Sequence, residues 1–85
     1  MMPLFSLHYT DTFKRDAKQL GAESQRHLAK LIPKILENPT RFKQLKGRPN
    51  YYRIRLESYR LIYSVEGKAV VFQLVRKRDI AYRSV

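Results

Sequence analysis

The sequence predicts one α+β domain over residues 1–85: a mostly antiparallel, curved sheet with an N-terminal helical hairpin packed on one face. Three observations predict it. Residues 50–56 and 59–65 are two runs rich in aromatic and β-branched side chains, alternating in polarity and separated by Glu57-Ser58, which is the pattern of an antiparallel hairpin. Residues 69–75, Ala-Val-Val-Phe-Gln-Leu-Val, follow the turn signal Glu66-Gly67 and are apolar nearly throughout, as a strand flanked on both sides should be. Between an alternating stretch at 4–9 and these strands lie two stretches of helical periodicity, so the element order is β-α-α-β-β-β.

Taken in order, residues 4–9 form the first strand. Thr10 or Asp11 can cap a short helix running to about Leu20, with Phe13, Ala17 and Leu20 on one face and Gly21 as a left-handed stop. From Glu23 onward, Leu28, Leu31, Ile32, Ile35 and Leu36 fall at i, i+3, i+4, i+7 and i+8, an amphipathic helix ending before Asn38-Pro39. Pro33 lies inside it, lacks an N–H and crowds the carbonyl of Ala29, so a kink or break is expected there. Residues 40–49 read as a basic loop anchored by Phe42 and Leu45 and punctuated by Gly47 and Pro49.

Strand geometry sorts the central hairpin into two faces. Tyr52, Ile54 and Leu56 share one face, and Tyr51, Arg53 and Arg55 the other. On the next strand Arg60, Ile62 and Ser64 oppose Tyr59, Leu61, Tyr63 and Val65. One face therefore carries a group of arginines.

Composition excludes several classes of function. The chain has no cysteine and two separated histidines, His8 and His27, so neither a disulfide nor a zinc centre is expected, and no metal or other cofactor is implied. No apolar run approaches a membrane span and residues 1–7 lack the basic start of a secretory signal, so a cytoplasmic protein without a membrane partner is expected. The 18 basic and 7 acidic side chains leave a net charge of +11, which points to a polyanionic partner. Residues 41–60 hold seven basic side chains (Arg41, Lys43, Lys46, Arg48, Arg53, Arg55 and Arg60) against the single acid Glu57. A solvated basic face serving solubility is the plainer reading, but the stretch favours arginine, whose planar fork suits phosphate.

If the last three strands are neighbours, Arg53, Arg55, Arg60 and Arg78 converge. Four guanidiniums around a concave face can hold phosphates, and can stabilise the phosphorane formed when a ribose 2′-OH attacks its own phosphodiester. Tyr51 and Tyr82 can stack a base, although half-buried strand packing also explains Tyr51. Arg76, Lys77 and Arg83 extend the basic surface into the tail. Glu57 and Asp79 flank the group, and either can be a base or a salt-bridge partner that orients an arginine, the second being the favoured role. His8 and His27 are expected to be ordinary structural or surface histidines. The residues alone stop at a small basic nucleic-acid-binding domain.

Leu45-Lys46-Gly47, Tyr52-Arg53-Ile54-Arg55-Leu56, Tyr59-Arg60-Leu61-Ile62-Tyr63 and Arg78-Asp79 with Tyr82-Arg83 resemble the RelE/ParE superfamily of toxin–antitoxin toxins, and its RelE branch in particular. The resemblance spans nearly the whole chain and implies the RelE-like fold. It also implies a ribosome-dependent endoribonuclease that enters the decoding site of the 30S subunit, cuts mRNA by 2′-OH attack and so inhibits translation, until a RelB-like antitoxin sequesters it. By position, Arg53 and Arg55 match two basic residues that are lysines in the best-studied branch. Arg60 matches the arginine on the scissile phosphate, Arg78 the one near the leaving group, and Tyr82 the C-terminal tyrosine that stacks on the substrate base. Arg41, Lys43, Lys46, Arg48, Tyr51, Arg76, Lys77 and Arg83 are the expected RNA contacts around these five.

A guanidinium does not accept a proton, so Arg53 and Arg55 can stabilise charge but cannot act as general base. Two other readings stand beside the nuclease: a ParE-like inhibitor of DNA gyrase, and a relative that binds RNA or the ribosome without cutting.

Overall fold

The structure, a computed structural model, describes residues 5–83 and the side chains of residues 5–81. The elements are β1 (Ser6–Tyr9), α1 (Asp11–Ala17), α2 (Ala22–Glu37), a 3₁₀ turn (Pro39–Arg41), β2 (Lys43–Gln44), β3 (Tyr51–Leu56), β4 (Tyr59–Glu66), β5 (Ala69–Lys77) and α3 (Arg78–Arg83). The five strands form one sheet in the order β1-β5-β4-β3-β2, with β1 parallel to β5 and every other pair antiparallel. The expected α+β order holds. The sequence reading missed β2, whose two residues are too few to show a period, and α3, whose six residues were read as an irregular basic tail.

Thr10 explains how α1 starts where it does. Its Oγ1 accepts the Phe13 N–H (2.9 Å) and donates to the Gln73 carbonyl (2.7 Å), so one hydroxyl caps the helix and fastens it to β5. That carbonyl is available because the β4–β5 register slips there: Ile62 faces Leu74 while Tyr63 faces Phe72, leaving Gln73 bulged. Farther along, Asp16 Oδ2 accepts the Val75 N–H (3.3 Å) and the Arg76 Nε–H (2.8 Å). The edge of β5 that β1 does not reach is thus closed by polar side chains of α1.

Two expectations are corrected. Gly21 is no left-handed stop, because at φ −70° it is the N-cap residue of α2, and α1 already ends at Ala17 with Lys18 as its C-cap. Of the kink or break expected at Pro33, the break does not occur, since α2 runs as one helix to Glu37. Pro33 and Ala29 are both exposed, so water can satisfy the carbonyl that loses its bond.

The main core lies between the sheet and α1 and α2. Phe13, Leu20, Leu28 and Ile35 of the helical layer pack on Ile54, Leu56, Leu61, Tyr63, Val70, Phe72 and Val75. Tyr63 is fully buried at its centre and donates its hydroxyl to the Pro39 carbonyl (2.7 Å), tying the 3₁₀ turn to β4. Burial, and secondarily the neighbouring Tyr52 whose ring stacks at 5.5 Å, raises the Tyr63 phenol well above its ordinary value. Among the described residues no helix is long and apolar enough to cross a membrane.

Candidate nucleic-acid interface

The sheet face away from the helical hairpin has a second, much smaller apolar cluster. Ile62, Leu74 and Ala81 are buried there, with Leu45 and Tyr51 at its margin, and Ala81 brings α3 down onto the strands. Strand alternation places the basic residues around this plug, as the hairpin pattern predicts. Arg53 lies between Lys43 on β2 and Ile62 on β4, and Arg55 lies opposite Arg60, which itself lies opposite Arg76 on β5.

Arg55, Arg60 and Arg76 therefore form one row across three strands, and like charges directly opposite repel. Each relieves the repulsion differently. Arg76 turns to the edge and pairs with Asp16 (2.8 Å). Arg60 is 8% exposed and donates from Nη1 to the backbone carbonyls of Glu57 (3.2 Å) and Tyr59 (2.9 Å). Arg55 projects into solvent. The row thus runs from a paired charge, through one held by neutral carbonyls, to an exposed one.

Lys43, Arg53, Arg55 and Arg60 together line a shallow cleft of about 230 Å³, with no acidic side chain among the described residues of its wall. A groove of about 620 Å³ adjoins it through Arg60 and is lined by Glu57, Ser58, Lys77, Arg78, Asp79 and Ile80. Arg78 opens α3, and its N–H donates to the Ser58 carbonyl (3.4 Å), which sets the helix against the β3–β4 turn. So three of the four arginines expected to converge share one cleft, Lys43 joins them, and Arg78 stands in the next groove with Arg60 common to both.

Tyr51 is half-buried against the small cluster, and the Arg48 guanidinium lies 4.5 Å over its ring, forming a cation–π pair. The two share a further cleft of about 360 Å³ with Thr10, Thr12, Gln73, Leu74 and Arg76. Lys46 lines a depression of about 320 Å³ in the 44–49 loop. Lys77 lies in the Arg78 groove, whereas Arg41 stands apart over the Phe42 ring at 5.3 Å. The backbones of Tyr82 and Arg83 belong to α3, and both side chains lie outside the described residues.

One expectation about the acids is corrected. Among the described residues Glu57 pairs with no arginine through its carboxylate: Oε1 accepts the Ser24 hydroxyl (2.9 Å) and Oε2 faces His27 Nδ1 (3.1 Å), both on α2. It is the backbone carbonyl of Glu57 that meets Arg60. Ser24 was not singled out in the sequence and His27 was read as an ordinary structural or surface histidine; the one local signal was glutamate in a two-residue hairpin turn, a place that favours glycine or asparagine.

The arrangement suits a chain of phosphates. Four cations in one open cleft can hold a phosphodiester, and an aromatic–guanidinium stack at the other end of β3 can serve as a platform for a base.

Comparison with known proteins agrees with this geometry. Residues 7–82 match the family described as the ParE toxin of type II toxin–antitoxin system, parDE. Toxin RelE3 of Methanocaldococcus jannaschii is 31% identical over 81 residues, covering 87% of this chain and 91% of that protein. The RelE fold in the RelB–RelE antitoxin–toxin complex from Methanococcus jannaschii superposes with a TM-score of 0.75 at 27% identity, over 91% of this chain and 96% of that one. The intact E. coli RelBE complex gives 0.79 at 29% identity, over 87% and 96%. With its fold, its basic cleft and these relatives in agreement, the chain belongs to the RelE/ParE superfamily of type II toxin–antitoxin toxins, on the RelE branch.

Proposed function

We propose that the protein is a ribosome-dependent endoribonuclease that cuts mRNA in the decoding site and thereby inhibits translation. The observation that carries this reading is the wall of Lys43, Arg53, Arg55 and Arg60 with no carboxylate among them. Such a wall binds a phosphodiester in its ground state and binds the more highly charged phosphorane better, which is what raises a rate.

In the reaction the ribose 2′-oxygen bonds to the adjacent phosphorus and gives up its proton. The P–O5′ bond breaks, leaving a 2′,3′-cyclic phosphate, and the departing 5′-oxygen takes up a proton. Arg60, steadied by two carbonyls, is the residue assigned to the scissile phosphate, with Arg53 and Arg55 across the cleft on its other oxygens. Arg78, from the adjoining groove, faces the leaving oxygen. Tyr82 is assigned to the base beside the cut, and the Arg48–Tyr51 stack to a base farther along the strand. Arginines in place of lysines put the weight of catalysis on charge stabilisation and on orientation of the 2′-OH by the ribosome.

The natural partner that holds such a protein off is an acidic, RelB-like antitoxin, the kind of chain that accompanies RelE in the solved complexes. Primer extension on programmed ribosomes tests the activity: wild-type protein yields discrete mRNA ends within the A-site codon, and binding without such ends would overturn the nuclease reading. The family match to ParE favours a second reading, inhibition of DNA gyrase, which a supercoiling assay separates from the first.

A further inference from the structure

We infer that Ser24 and His27 of α2 are positioning residues for Arg60, acting through Glu57, so that α2 and the β3–β4 turn form a clamp that fixes the catalytic guanidinium. The inference rests on the reading of Arg60 as the residue that holds the scissile phosphate.

The clamp is a short chain of contacts. Ser24, 6% exposed and in the first turn of α2, donates its hydroxyl to Glu57 Oε1 (2.9 Å). His27, one turn on, faces Glu57 Oε2 at 3.1 Å. An ionised carboxylate only accepts, so Nδ1 carries the proton in this contact. The Glu57 carbonyl accepts from Arg60 Nη1 at 3.2 Å. From the other side, the Ser58 carbonyl accepts the Arg78 N–H (3.4 Å), so the same turn also sets the start of α3.

Two further observations argue that the turn is held, not merely touched. Glu57 has φ +54°, and it is the only non-glycine with positive φ among the described residues. Glutamate has no intrinsic advantage in the left-handed region, where glycine or asparagine is the usual occupant. Holding it there takes outside contacts, and the two on α2 supply them. In addition, the N-cap of α2 is Gly21, which gives no side-chain cap, so a carboxylate brought to the first turn from another element also complements the helix dipole.

The His27 and Glu57 side chains are 39% and 38% exposed, so solvent screens their pair and its contribution to stability is small. Its value is geometric. Arg60 lies between Arg55 and the Asp16-paired Arg76, and among the described residues its head group is hydrogen-bonded to the carbonyls of Glu57 and Tyr59. A shift of the turn by an ångström moves the guanidinium by as much, enough to cost a large factor in rate without unbinding the substrate.

The test compares the wild type with Ser24→Ala, His27→Ala and His27→Gln. In single-turnover cleavage on programmed ribosomes, Ser24→Ala and His27→Ala should each lower the saturating rate by roughly tenfold, while the protein concentration giving half the maximal rate stays within about twofold. His27→Gln keeps an N–H donor toward Glu57 and should restore most of the rate, which a merely packing role for the ring would not predict. In the free protein, the side-chain nitrogen signals of Arg60 should shift or broaden in both alanine variants while those of Arg55 stay put. Unchanged Arg60 signals, or a wild-type saturating rate in both alanine variants, would overturn the clamp. If the wild type makes no cuts, the nuclease reading fails on its own and the Arg60 signals still decide whether the clamp exists.

Discussion

The two faces of this sheet use the same three strands to opposite ends. Toward α1 and α2, Ile54, Leu56, Leu61, Tyr63, Phe72 and Val75 form part of one continuous apolar layer. On the other face, among the described residues, only Ile62, Leu74 and Ala81 are buried as a cluster, and arginines and Lys43 surround them. β4 is buried on both sides, so it is the strand where the two requirements meet. The difference teaches that the basic face is tolerated because the covered face supplies the folding energy, which leaves the charged row free to be arranged for binding.

The contrast can be broken most forcefully from the covered side. Phe72→Ala removes a fully buried ring that contacts Phe13 (5.2 Å between centroids) and Tyr63 (6.1 Å) and should cost about 3–5 kcal/mol, read as a lower urea midpoint. A loss below about 1 kcal/mol would mean that this layer is not the source of stability. On the basic face the matching change is Arg60→Ala, which should lower cleavage roughly 10²–10³-fold while the fold persists. Cutting at the wild-type rate by this variant would remove the basis for a catalytic cleft.

Tyr63 sharpens the comparison through pH. Its pKa is raised in the folded state, so the unfolded chain releases the phenolic proton first. The stability this burial contributes is complete below the unfolded value near 10 and is lost as pH climbs beyond it, by up to about 1.4 kcal/mol per pH unit. Urea titrations between neutral and strongly alkaline pH should show that decline, and Tyr63→Phe should flatten it.

The smallest effect is the most diagnostic. Arg55→Ala removes the like charge opposite Arg60, so stability should rise by a few tenths of a kcal/mol while RNA binding weakens. The slope of log affinity against log salt should flatten by about 0.7, the share of one phosphate contact to a single strand. Equal losses of stability and binding would instead make Arg55 a structural residue.

The alternation of residues 51–65 made the two faces legible, because period-two patterning reports sidedness directly. What each arginine does with its charge was not legible. Arg76 is neutralised by Asp16, 60 residues earlier, and the turn beside Arg60 is held by Ser24, 33 residues before Glu57, separations over which no local pattern speaks. Gly21 misled because a glycine between helices fits either the end of one or the beginning of the next, and the backbone chose the latter. Pro33 misled because its penalty depends on whether water reaches the Ala29 carbonyl, which is a property of the folded surface.

The parallel pairing of β1 with β5 sets a schedule for the life of the molecule. Ser6 finds its partner in Ala69, so the first strand waits for nearly the whole chain before it can join the sheet, and Thr10 waits for Gln73 in the same way. Contacts of such sequence separation close late in folding. On the ribosome that makes it, the growing chain cannot seat β1 until β5 has left the exit tunnel, whereas the β3–β4 hairpin that carries Arg53, Arg55 and Arg60 pairs locally and does not wait for it.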